Sequence, residues 1–320
     1  MRQYQKIIVN VSLTETDIPA LKLAGLIARL AQSQSVTFVH LREGIDIPES
    51  MKQAYPALAE PAASAARPKA EALISQYFHG PDGCHTELVI QDASPSLALL
   101  ALSLRLDADL IVVGDLDIDR SVALKVARKA PCSVLLVPGQ CSGDFSKIGM
   151  ALDLSKYSGY IYDTAINIAA ARGIGAIQGL NFYSIPNGFQ KNGLPLVPIR
   201  AELRAFSEQR LHSFLRSRES REVQVRATVE HSPTPGIALL SIAERHHLDL
   251  LVLGCRGKDA MTATLLGTNA ETVLRGSMKA AILAVKEKGT GKRFLQSLLE
   301  PDTDETEPAL HASSPSMVAG

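Results

Sequence analysis

The chain repeats itself once, and that duplication restricts its architecture more than any other feature. Lys6-Ile-Ile-Val-Asn-Val-Ser12 returns as Lys147-Ile-Gly-Met-Ala-Leu-Asp153. Pro95-Ser-Leu-Ala-Leu-Leu100 returns as Pro235-Gly-Ile-Ala-Leu-Leu240, and Asp109-Leu-Ile-Val-Val-Gly114 as Asp249-Leu-Leu-Val-Leu-Gly254. Further on, Cys132-Ser-Val-Leu-Leu-Val137 pairs with Ala280-Ala-Ile-Leu-Ala-Val285, so the second copy carries about eight extra residues after Gly254. A period of roughly 140 residues is a domain duplication, because solenoid repeats are far shorter. Each copy is long enough to bury its own core.

Within each copy, short continuous apolar runs alternate with segments of helical periodicity. In the first copy the runs are Ile7–Val11, Val36–Leu41, Glu87–Ile90, Leu110–Val113 and Val134–Val137. Such runs suit parallel strands covered on both faces. Ile18–Leu30 and Ser96–Leu106 place apolar residues at helical spacing between them. The alternation predicts an α/β fold with two tandem doubly wound parallel sheets. Proline-rich connections, Glu43–Arg67 and Ser184–Pro198, are expected to be loops or loosely helical lids. The boundaries expected are 1–140, 145–287 and a polar, acidic tail at 288–320, with one or two helical turns over Phe294–Glu300 and disorder over its last twenty residues.

Ligands bind such sheets at the carboxyl ends of the strands, near the switch point. Asp153 and Gly254 both stand at such ends. Gly254-Cys-Arg-Gly257 is followed, after nine residues, by Gly267-Thr268. Thr268-x-x-Glu271 has the form of a capping box opening a helix. Strand, glycine loop and helix N-terminus together make an anion cradle, since glycines let backbone N–H groups approach a phosphate and the helix dipole favours negative charge. The bland alternatives are a strand–helix turn that binds nothing, and an Asp153 that merely caps the following helix; the capping role is compatible with ligand reading.

Other patterns carry less. Asp115-x-Asp-x-Asp119 lacks the glycine and glutamate of a calcium loop. Gly289-Thr-Gly-Lys292 lacks Walker spacing. His246-His247 is expected at an exposed helix end, and Cys255 as a small filler in the loop. Lys+Arg and Asp+Glu number 33 each, tryptophan is absent and aromatics are 5%, which speaks against nucleic acid. No apolar run approaches the roughly 18 residues of a membrane span, and no leader pattern opens the chain. Cys84, Cys132, Cys141 and Cys255 form no C-x-x-C pair and are expected to be free thiols in a cytoplasmic protein. No catalytic constellation and no metal-ligand spacing stands out, and no Walker B aspartate accompanies the loop.

The loop Gly254-x2-Gly257-x9-Gly267-Thr268, with Asp153 at the end of the second copy's first strand, resembles the universal stress protein family in its tandem two-domain form. The resemblance covers about residues 4–138 and 146–286. It implies an adenine-nucleotide-binding Rossmann-like fold whose halves pair as a pseudo-dimer through their last strands. It also implies ATP, with Mg2+, in the second copy. Asp153 would accept from the adenine amino group, with Ala151 and Leu152 lining the base and Phe182 or Tyr183 packing on base or ribose. Gly254 and Gly257 would surround the ribose and α-phosphate. Gly267, Thr268 and Asn269 would present donors to the outer phosphates, and Arg256 and Lys258 would neutralise them.

The first copy departs from this pattern. Ser12 replaces the aspartate, and Gly114 is followed by three aspartates, which would repel phosphate. It is expected to be a degenerate partner domain. The function implied is that of an ATP-binding stress-response regulator acting on an unidentified protein partner, with no catalytic residues. Two alternatives stand beside it. One is a slow ATPase, an autophosphorylating protein or a nucleotidyl- or phosphoryl-transferring enzyme of the adenine-nucleotide α-hydrolase-like group, although that group's S-G-G-x-D-S pattern is absent after the first strand. The other is a nucleotide-free interaction scaffold. Further homodimerisation is left open.

Overall fold

The structure is a computed structural model and describes residues 3–42, 62–114, 120–185, 196–255, 266–276 and 279–299. The first half runs β1 (Lys6–Asn10), α1 (Asp17–Ala31), β2 (Ser35–Arg42), α2 (Ala62–Tyr77), β3 (His85–Asp92), α3 (Pro95–Arg105), β4 (Leu110–Val113), α4 (Arg120–Lys129) and β5 (Ser133–Leu136). The second repeats it as β6 (Ile148–Ala151), α5 (Ser158–Ala171), β7 (Ala176–Tyr183), α6 (Leu196–Arg216), β8 (Gln224–His231), α7 (Pro235–Arg245), β9 (Leu250–Gly254), α8 (Thr268–Arg275) and β10 (Ala281–Val285). The apolar runs became strands because helices cover both their faces. β4, β5 and β10 are buried throughout.

All strands lie in one ten-stranded sheet of order β3-β2-β1-β4-β5-β10-β9-β6-β7-β8. Pairing is parallel inside each half and antiparallel where the halves meet. At that seam Ile282 faces Leu136, Leu283 faces Leu135 and Ala284 faces Val134. The seam covers two apolar strands that would otherwise be open edges. Side chains alternate across it. Leu135 and Leu283 enter the core beneath α1 and α5, while Val134, Leu136, Ile282 and Ala284 enter the core beneath α3, α4, α7 and α8. Each face therefore has one core shared by both halves. Because the seam is antiparallel, the strand carboxyl ends of the two halves point to opposite ends of the sheet.

Repeated hydrogen bonds accompany the repeated strands. Asp109 Oδ2 accepts from the amides of Gln5 and Lys6, and Asp249 Oδ2 accepts from those of Ser146 and Lys147. These two aspartates fasten β4 to β1 and β9 to β6, at the end of each half opposite its strand carboxyl ends. Of the two proline-rich connections, residues 62–67 already belong to α2, and 43–61 and 186–195 lie outside the described residues. Beyond β10 the one or two helical turns expected over Phe294–Glu300 correspond to a short helix. Lys292–Leu299 form a helix, α9, whose Leu295 is fully buried in the core under α3. Residues 300–320 lie outside the described residues. Among the described residues no helix is long and apolar enough to cross a membrane.

Candidate functional site

In the second half the switch point lies between β6 and β9, which pair directly and whose flanking neighbours are β7 and β10. The chain leaves β6 through Leu152, whose amide donates to Leu180 O at 2.8 Å. Its carbonyl accepts from the buried Asn181 Nδ2 at 2.6 Å. The Leu152 side chain is buried in the core under α5, so its backbone, and not its side chain, faces the strand ends. Ala151, on the opposite face, is half-buried beside Phe182 in the other core. Asp153 comes next and is half-buried. Its Oδ1 accepts from the Ser155 amide at 2.9 Å and from Ser158 Oγ at 2.8 Å. This Asx turn holds the carboxylate at the entrance to α5.

Tyr183 ends β7 but turns away from β6. Its ring meets His231 edge-on, with centroids 5.4 Å apart. It lines a cavity of about 580 Å³ between α6 and β8, together with Arg204, Glu208 and His212. Of the two aromatic residues expected near the base, Phe182 therefore lies on the Ala151 side and Tyr183 on the β8 side.

Gly254 closes β9 and faces Val285 of β10. Cys255 follows; its carbonyl accepts from the Gly267 amide at 2.8 Å. One hydrogen bond thus ties together the two ends of the glycine loop and sets the N-terminus of α8 beside the end of β9. Arg256, Gly257 and Lys258 lie outside the described residues. Cys255 itself is buried, with Sγ turned to Ala127 O of α4 at 3.9 Å, as a filler of the seam. None of the four cysteines forms a disulfide.

The capping box did not form. Gly267, not Thr268, is the N-cap, and no side chain caps the helix. Glu271 is drawn elsewhere, to Arg275 at 2.8 Å and to Arg128 of the first half at 3.0 Å. The hydrogen bond from Arg275 is the main cause of its lowered pKa, and burial opposes it. Thr268 is the first helical residue and is exposed. The first amides of a helix have no partner within it, so α8 presents donors at the strand ends, where its dipole favours an anion. Asn269 Oδ1 accepts from the Gly236 amide at 3.2 Å. Its side chain thereby docks α8 on α7 and leaves its backbone for a ligand. A Cβ at Gly236 would stand 2.6 Å from Thr272 Cβ, so this close helix contact requires glycine there.

The first half handles the same place differently. Asp17, the first residue of α1, is 1% exposed and fully occupied. It accepts from the amides of Ser12, Leu13 and Thr14 and from Ser12 Oγ. Asp115–Asp119 lie outside the described residues. Ser155, Ser158 and Asn181 were not among the residues expected from sequence. Ser158 was detectable in principle, because it occupies the place of Asp17 in the repeat.

The universal stress protein family, compared as a sequence model, matches residues 3–138 and 144–285. No curated protein matches the chain significantly. Among solved structures, a candidate universal stress protein of Pseudomonas aeruginosa UCBPP-PA14 is similar with a TM-score of 0.62 and 17% identity, covering 92% of this chain and 98% of that one. A universal stress protein of Archaeoglobus fulgidus DSM 4304 gives a TM-score of 0.60 at 16% identity, covering 89% and 99%. At these identities the likeness is one of fold.

Proposed function

We propose, since the chain belongs to the universal stress protein family, that it binds ATP in its second half alone and that occupancy of that site is read by a protein partner. The observation that carries this reading is the contrast between the two carboxylates at the strand ends. Asp153 keeps an oxygen free of described donors, whereas Asp17 is saturated. In this reading Asp153 accepts from the adenine amino group, and Ala151 and the Leu152 backbone border the base. Gly254, Gly267, Thr268 and Asn269 meet the ribose and phosphates. Arg256, Gly257 and Lys258 enter through the sequence alone, and Tyr183 is better suited to the neighbouring cavity than to the base.

The N-cap Gly267 supports the phosphate assignment. Its φ of −62° and ψ of 144° are open to any residue. Glycine is therefore not needed there for backbone conformation, and the missing side chain leaves room for close approach to the helix N-terminus. Among the described residues no group of three His, Cys, Asp or Glu side chains is arranged to hold a metal ion. Mg2+ would accordingly arrive on the phosphates.

Residues 1–140 act in this scheme as a degenerate partner domain, 145–287 as the nucleotide domain and 288–320 as a tail. In this scheme the two halves work as a pseudo-dimer within one polypeptide, in the cytoplasm, a reading that the antiparallel seam supports. Calorimetric titration of the full chain with ATP, ADP and AMP in magnesium tests the reading. One site per chain is the result expected. Two sites would return nucleotide binding to the first half, and none would leave an interaction scaffold. Turnover only with an added acceptor would move the protein to the transferring enzymes.

A further inference from the structure

The two halves contain the same hydroxyl–carboxylate pair with its residues exchanged. In the first half Ser12 follows β1 and Asp17 opens α1, and Ser12 Oγ donates to Asp17 Oδ1 at 2.7 Å. In the second half the carboxylate follows the strand and the hydroxyl opens the helix, with Ser158 Oγ donating to Asp153 Oδ1 at 2.8 Å. The backbone between them is alike. Leu13 has φ 64° and Leu154 has φ 57°, so both turns pass through the left-handed region at the same step.

The exchange changes what the carboxylate can do. Asp17 spends Oδ1 on Ser12 and Oδ2 on the amides of Leu13, at 2.7 Å, and Thr14, at 3.2 Å. Asp153 receives the Ser155 amide and Ser158 Oγ on the one oxygen, Oδ1. Among the described residues no donor reaches its Oδ2. An aspartate carboxyl otherwise turns broadly about its last torsion. Two donors on one oxygen fix that torsion before any ligand arrives, so less freedom is lost on binding.

We propose that Ser158 is a positioning residue for base recognition: by holding Asp153 Oδ1 it keeps Oδ2 free and directed outward to accept from an exocyclic amino group, while the exchanged pair Ser12–Asp17 closes the equivalent place in the first half. This rests on the reading of the second half as an adenine-nucleotide site. Adenine presents a 6-amino donor where guanine presents a carbonyl oxygen, so a fixed carboxylate oxygen attracts one and repels the other. Asn181 steadies the preceding peptide through Leu152 O. The pair is thus held from both sides.

The test compares ADP and GDP affinities of the full chain by calorimetry, with thermal unfolding as the control for folding. Wild type is expected to prefer ADP. Ser158→Ala should reduce that preference about tenfold, the worth of one hydrogen bond to a charged group, and Ser158→Thr should restore it. The double variant Asp153→Ser with Ser158→Asp copies the arrangement already present at Ser12 and Asp17. It should keep the unfolding midpoint and bind ADP and GDP alike. Unchanged preference in Ser158→Ala, or in the double variant, overturns the positioning role while leaving nucleotide binding intact. A wild type that binds neither nucleotide overturns both the role and the site.

Discussion

Lys288 Nζ lies 2.7 Å from Asp109 Oδ1 and 2.8 Å from Asp107 Oδ2, binding the segment after the last strand of the second half to the floor of the first. The neighbouring contacts run the same way. Lys286 Nζ donates to Ala130 O at 2.8 Å and Arg128 O at 3.2 Å, at the carboxyl end of α4. The Gly289 amide donates to Pro131 O at 2.8 Å. Cations at a helix carboxyl terminus are favourable. The chain after β10 is therefore a strap across the seam, and it delivers α9 to its place under α3.

Lys288→Ala should loosen that strap. Asp109 is nearly buried but Asp107 and Lys288 are about half exposed, so the loss is about 1 kcal/mol rather than that of a buried pair. Amide exchange over α9 should quicken more than exchange over β1 or β4. Equal protection of α9 in wild type and variant would show that Leu295 alone holds the helix.

Acid should act on the same contacts. Asp107 titrates below its ordinary value of 3.8, chiefly through its hydrogen bond from Lys288. Glu271 titrates below its ordinary 4.5, chiefly through Arg275 and with help from Arg128. A carboxyl whose pKa is lower when folded adds stability above its unfolded pKa and loses it as pH falls through the folded one. Unfolding free energy should thus hold steady from neutrality down to about pH 5 and decline below it. Glu271→Gln should shallow that decline; a decline of the same depth would place its source elsewhere.

Tyr4 is a buried flaw of a different kind. It is 1% exposed, and among the described residues no partner meets its hydroxyl in good hydrogen-bond geometry, although the Ser133 and Thr164 side chains lie close enough to interact with it. Burial is the main cause that pushes its pKa up to about 12. Cys132, also buried, is pushed up to about 12. An acid whose folded pKa is raised holds its proton longer in the folded state, so stability falls as pH rises above the unfolded value. Tyr4→Phe should be neutral or stabilising by up to about 1 kcal/mol at pH 7 and should blunt alkaline unfolding. A loss above about 2 kcal/mol would mean that the hydroxyl is paired after all.

Much of this architecture was legible in the sequence, and the failures have common physical origins. Continuous apolar runs marked the strands because burial on both faces leaves no polar side to alternate. The ends shifted by a residue or two, as at Ser35–Arg42, because backbone pairing at an edge outlasts the apolar run. The capping box at Thr268 failed because the N-cap falls one residue earlier, at Gly267, and Glu271 is drawn to Arg275 and, across the seam, to Arg128. That Leu152 turns its side chain into the core and only its backbone to the strand ends was not marked, because an apolar run buried on both faces does not tell which face each residue takes. The burial of Leu295 was not marked because nothing in the run Phe294-Leu-Gln-Ser-Leu-Leu299 tells which apolar side chain meets the first half. Ser158 is told apart only by comparison with Asp17 across the repeat, because the role proposed for it exists only beside Asp153.

The seam itself is testable through Leu283, fully buried and opposite Leu135. Leu283→Ala should destabilise by about 2–5 kcal/mol, the range for a leucine lost from a core that cannot collapse. Since each face of the sheet has one core shared by both halves, the halves should still unfold together in urea. A second transition would show that they fold as separate units.

Gly267→Val is the sharpest test of the nucleotide site, because local geometry lets the fold survive it. The N-cap dihedrals of Gly267 suit valine, and no side-chain cap is lost. Valine is a poorer N-cap than glycine, which costs at most about 1 kcal/mol. A branched side chain at that point would stand between an incoming phosphate and the first amides of α8, while the amide of residue 267 could still bond to Cys255 O and keep the loop ends together. Affinity for ATP should fall below detection by calorimetry, with the unfolding midpoint shifted by only a few degrees. Unchanged affinity would remove phosphate from the N-terminus of α8, and with it the reason to place ATP there.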